Sequence, residues 1–125
     1  MSRKRNERTI LAYPAVAGAD ITRNMVLVAG TREDLVVPSS GAAGEKFVGL
    51  ANMNAKVGQS VGRVTSGEYS PIAKGDIQFG DPVKMAPNGA VTKAQDADHG
   101  TGLVIGRASS SAVDGEPVTV EVGQS

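Results

Sequence analysis

The sequence predicts an all-β fold, a small β-barrel or β-tulip-like domain with an internal pseudo-twofold repeat, preceded by an extended N-terminal arm. Three observations predict it. Glycine breaks the apolar runs every few residues, no stretch sustains a 3.6-residue apolar stripe, and the chain repeats itself. The segment from Val48 aligns without gaps on the segment from Ile105 at an offset of 57, with identities at Gly49/Gly106, Ala51/Ala108, Ala55/Ala112, Gly58/Gly115 and Val61/Val118. Upstream, Asp20-Ile21 matches Asp76-Ile77 at an offset of 56, and Leu27 falls on Val83. Halves that agree in glycines and small apolar residues, but not in polar groups, share a fold rather than a chemistry. Two copies are too few for a solenoid.

Each element follows from local pattern. Residues 1–17 read as the arm: basic first, then Ile10-Leu11-Ala12-Tyr13, with Pro14 limiting any helix. Extended, they reach about 55 Å. Residues 18–125 read as a single β domain, with repeat halves at about 18–67 and 74–122. In the first half, strands are expected over Asn24–Val28, Leu35–Val37 after an Arg32-Glu33-Asp34 turn, Phe47–Ala51 and Val57–Thr65, the last bent at Gly58 and Gly62. In the second, Pro82–Ala86 and Ala90–Ala94 flank Pro87-Asn88-Gly89. Asn-Gly there is a strong hairpin signal, because both residues accept positive φ. Val118, Val120 and Val122 alternate with Thr119 and Glu121, the period of a half-buried strand. Ala51–Val57 and Ala108–Asp114 read as one helical turn or a loop each.

Composition narrows the function classes. The 125 residues suit one domain, and the only aromatics are Tyr13, Phe47, Tyr69 and Phe79. A Val- and Ala-rich core of this kind suits thin β layers better than a deep ligand pocket. Thirteen basic and thirteen acidic residues cancel, so direct nucleic-acid binding is not expected. The balance is uneven, with the first eight residues at +3 and the remainder at −3. Without cysteine no disulfide or thiolate site exists. No apolar run is long enough to span a membrane, and the basic start lacks the apolar stretch of a secretory signal. No cofactor is expected.

Three motifs could carry chemistry. Gly58-Gln59-Ser60-Val61-Gly62 is a literal G-x-S-x-G, and Asp76 or Asp81 followed by His99 completes a hydrolase order. That motif needs a strand-to-helix turn over a parallel sheet, and Arg63-Val64-Thr65-Ser66-Gly67 is not helical. Ser60 also aligns with Pro117, so the position reads as a turn into a strand. A small serine hydrolase is therefore the weakest reading, and no catalytic residue is assigned. Asp96, Asp98 and His99 are too few for a calcium or zinc site and read as a polar loop. Gly41–Lys46 lacks the length and the hydroxyl of a phosphate-binding loop. The arm offers more: Arg3, Lys4, Arg5 and Arg8 can pair with acidic groups on a partner, while Ile10, Leu11 and Tyr13 anchor in an apolar groove.

Gly80-Asp81-Pro82-Val83, then Ile105-Gly106-Arg107-Ala108, then Gly115-Glu116-Pro117-Val118-Thr119-Val120 form a recognisable set. Val48-Gly49-Leu50-Ala51 and Val57–Val64 carry the same phrases in the first half. Over residues 18–122 the chain resembles the head decoration (capsid cement) proteins of tailed bacteriophages. The resemblance implies a non-enzymatic structural virion protein, made in the host bacterial cytoplasm, that binds the outer surface of a capsid and stabilises the shell. Its implied partner is the major capsid protein, with the arm lying over neighbouring subunits, and its implied state is a homo-oligomer, a trimer by analogy. The alternative is a β module of a phage fibre or tail that binds host glycan or another virion protein. Glycan sites stack sugars on exposed Trp or Tyr, which this chain scarcely has.

Overall fold

The computed structural model describes residues 15–31, 34–42, 44–99 and 103–122. The described residues form an all-β molecule without an α-helix. In the first half, Ala15–Ala17 (β1), Val26–Ala29 (β2), Leu35–Pro38 (β3), Phe47–Ala51 (β4), Ser60–Val61 (β5) and Arg63–Val64 (β6) form a six-stranded sheet in the order β5-β1-β3-β2-β4-β6. The two end strands of that sheet are one continuous run of chain, broken only by Gly62. The sheet therefore curls round until β5 closes on β1 and β6 closes on β4. The absence of a side chain at the bend leaves room for the exposed Asn52 side chain, whose amide end would lie 2.5 Å from an added Cβ.

The second half repeats this plan. Gly67–Tyr69 (β7), Pro82–Met85 (β8), Val91–Lys93 (β9), Val104–Ala108 (β10) and Val120–Val122 (β11) form a sheet in the order β7-β11-β10-β8-β9. Bridges Ala73↔Val91 and Ile72↔Pro117 nearly close it. The parallel bridge at Ala73 matches the parallel pairing of β1 with β3. The β8–β9 hairpin turns where Asn-Gly was expected to turn it, with φ of 62° at Asn88 and 72° at Gly89.

One difference from the sequence reading stands out. Ala15–Ala17, read as the end of the arm, are a strand between β3 and β5, with Ala15 and Ala17 buried. Their short alanine run carries no strand signature; pairing on both sides determines their conformation. Of the two readings of Ala51–Val57 and Ala108–Asp114, a helical turn or a loop, the structure shows the loop, each holding one bridge, Ile21↔Ala55 and Ile77↔Ala112. Arg32 and Glu33 of the expected turn lie outside the described residues.

The core is divided unequally. Ala17, Ile21, Leu27, Val36, Ala51, Ala55 and Val61 fill the first barrel. Their counterparts Ala73, Ile77, Val83, Val91, Ala108, Ala112 and Val118 fill the second, but that cluster also takes in Val26, Val28, Leu50 and Val64 from the outer wall of the first barrel. Strand β2 is thus buried on both faces, which explains its unbroken Val26-Leu27-Val28 run. Ser39 clips the joint: its hydroxyl donates to the Ala86 carbonyl at 2.7 Å, and its own carbonyl accepts the Gly89 N–H at 3.1 Å.

Candidate functional site

The turns that join the strands repeat bond for bond. Ile21 and Ala55 exchange N–H···O bonds of 2.8 and 2.9 Å, and Ile77 and Ala112 exchange two of 2.9 Å. Gly58 N–H donates to the Ala17 carbonyl and Gly115 N–H to the Ala73 carbonyl, both at 2.8 Å. Asn24 and Gly80, both left-handed at φ 75° and 91°, donate to Ala51 and Ala108 at 2.8 Å each. The Asp20 carboxylate accepts the Val57 N–H at 3.0 Å, and the Asp76 carboxylate accepts the Asp114 N–H at 3.2 Å. The repeated aspartates are therefore turn clamps.

These clamps frame one groove per copy, and the two grooves correspond in position. The first, about 340 Å³, is lined by Asp20, Ile21, Thr22, Asn54, Ala55, Lys56 and Gln59. The second, about 480 Å³, is lined by Asp76, Ile77, Gln78, Phe79, Ser111, Ala112, Val113 and Glu116. Their chemistry differs. Lys56 of the first, 3.9 Å from the Asp20 carboxylate, is replaced by Val113, which is 53% exposed. Arg23, exposed beside the first groove, is replaced by Phe79, which is 73% exposed. Asp76 and Glu116 line the same groove as that apolar pair. The fold accepts Arg23 where Phe79 stands, so backbone architecture does not require the exposed ring. Sequence reasoning missed this groove; setting Phe79 against Arg23 in the alignment was the available signal.

The motifs singled out in the sequence serve structure. Ser60 pairs with Val16 in β5 just as Pro117 bridges Ile72, and Asp81 accepts the Gln78 N–H at 2.9 Å. Among the described residues no hydrogen bond joins Ser60 to Asp76, Asp81 or His99. Asp98 is held by Lys84 at 3.0 Å in a short 3-10 turn, Asp96–Asp98. The Gln95 backbone N–H, then Lys84, hold its carboxyl below the usual carboxylate range. No group of three or more His, Asp or Glu side chains with metal-binding geometry occurs among the described residues. In the Gly41–Lys46 loop the Glu45 carboxylate itself accepts the Ser40 and Gly41 N–H groups at 2.9–3.1 Å, so the loop is already occupied by an anion. Burial raises the Tyr69 phenol above its ordinary value, and its hydroxyl donates to the Ser66 carbonyl. The arm residues Arg3, Lys4, Arg5, Arg8, Ile10, Leu11 and Tyr13 lie outside the described residues.

No protein-family model and no curated protein matches this sequence. Among solved structures, the chain is similar in fold to the N base of the head fibre protein gp8.5 of bacteriophage phi29. The TM-score is 0.68 at 20% identity, covering 90% of this chain and 93% of that one.

Proposed function

We propose that this protein is a non-enzymatic structural component of a tailed-phage virion that binds the outer surface of the capsid and stabilises the shell. The observation that carries the reading is the shared fold with the base of a phage head fibre over nearly the whole of both chains. The residue phrases shared with capsid decoration proteins point the same way. A molecule that binds the assembled lattice better than its free subunits stabilises the lattice by linkage, and many copies per shell multiply modest contacts. The basic arm, Arg3 to Arg8, would lie over neighbouring major capsid subunits, and oligomerisation would raise its avidity. A second reading, the base of a fibre that carries a further virion protein, is favoured by the same structural likeness.

The test is co-sedimentation of the purified protein with DNA-filled and emptied heads of its phage. Binding that weakens as salt rises is expected, because charges are screened beyond about 8 Å at physiological strength. Deleting residues 2–13 should leave the fold intact and abolish binding. Full-strength binding by that deletion removes the arm from the proposal, and no binding to either head form removes the capsid.

A further inference from the structure

We infer that the chain associates with a second copy of itself, the loops around the first groove of one molecule packing against the second groove of the next. The exposed apolar side chains say where. Five large ones stand exposed among the described residues, and four belong to the loops that build the two grooves. Met53 and Val57 flank the first, and Phe79 and Val113 line the second. Single exposed apolar residues are ordinary on a protein surface, whereas a concentration of them marks a contact.

Charge says what covers them. The second groove carries Asp76 and Glu116, and Asp114 follows Val113 directly. Asp76, Glu116 and Asp114 each give one carboxylate oxygen to a backbone N–H, of Asp114, Val113 and Gly75 respectively, and keep the other for a partner. Among the described residues none of the three forms an ion pair. Arg107, which reaches the same turn, places its guanidinium on the Gly80 carbonyl at 2.9 Å.

The first groove presents the opposite sign. Arg23 and Lys56 stand exposed there against Asp20 alone. The Lys56–Asp20 pair is loose, at 3.9 Å with side chains 79% and 67% exposed. A solvent-exposed pair of that length contributes little, so a carboxylate of another copy can displace Asp20 from it. Each face thus sets apolar side chains among charges, and the charges of the two are complementary. Because the faces differ, each molecule offers one and accepts with the other, a head-to-tail contact that continues until it closes. The inference gives the oligomer of the capsid reading a surface without resting on that reading.

Sedimentation velocity on the full chain tests it with no heads present. At about 0.1 mM the unmodified protein should sediment above the monomer, and less so as salt rises. Phe79→Arg, and separately Arg23→Glu with Lys56→Glu, should each weaken association at least about tenfold. Mixing these two variants should restore a pair, because one keeps an intact first groove and the other an intact second. Pairing in the mixture also shows that both have folded. Lys56→Arg, which keeps the charge, should associate as the unmodified chain does. An unmodified chain that stays monomeric, a mixture that fails to pair, or a loss confined to Phe79→Arg each overturns the inference, and the last assigns the second groove to a different partner.

Discussion

The outer walls of the two barrels are built on the same strands and carry opposite chemistry. Val26, Val28, Leu50 and Val64 of the first are buried in the shared core. Their counterparts in the second are Pro82, Lys84, Arg107 and Glu121, half-buried or exposed. Inside the barrels the contrast reverses. Met85, Ile105, Val120 and Val122 are buried in the second, whereas Ala29, Val48, Arg63 and Thr65 stand at those places in the first. The difference teaches that the copies are ordered. One barrel lends its wall to complete the other's core, and each outward end of the pair is polar, as in the terminal units of repeat proteins.

Exchanging wall residues should break this comparison most severely. Leu50→Arg places a charge in the shared core and should cost more than about 4 kcal/mol, while Arg107→Leu should stay within about 0.5 kcal/mol; urea denaturation of both measures the asymmetry. The glycines come next. An added Cβ at Gly106 would lie 2.0 Å from the Glu121 carbonyl oxygen, whereas Gly115 opens onto free space. Gly106→Ala should therefore cost about 3 kcal/mol or more and Gly115→Ala about 1 kcal/mol, the latter from its positive φ alone. A smaller effect depends on pH. The Asp98 pKa is lowered in the folded state, so its stabilisation is complete above the ordinary value near 3.8 and is lost as pH falls through the depressed one. Asp98→Asn should lower the melting temperature at neutral pH and converge on the unmodified protein in acid, flattening the low-pH limb of a thermal-melting series. Smallest of all, Phe79→Arg installs the residue the first copy already carries and should shift stability by less than about 0.5 kcal/mol. A loss of virion binding with that variant would mark the second groove, not the first, as a contact.

The division between what was and was not legible follows from this asymmetry. The turns were legible, because Asn88-Gly89, Gly58/Gly115 and Asp20/Asp76 each answer a local backbone demand that the residue type announces. The all-β class and most strands followed from the same punctuation. β1 was not legible, since Ala15-Val16-Ala17 is a strand only through its partners on both sides. The shared core was not legible either, although Leu50 against Arg107 and Val64 against Glu121 were visible as mismatches in the repeat. A mismatch says that two surroundings differ; only the packing says which side is dry. The grooves were hidden for the same reason, because the sequence does not announce that Phe79 stands 73% exposed.

The apolar wall of the first barrel also sets an order in time. Its ladder is complete once Val64 has been made, but the residues that cover Val26, Val28, Leu50 and Val64 come almost entirely from the following half. At about 5–20 residues per second, that half takes roughly 3–12 s to synthesise. For those seconds the residues that bury this aliphatic flank do not yet exist, so the first half cannot reach its final packing until the second has followed it.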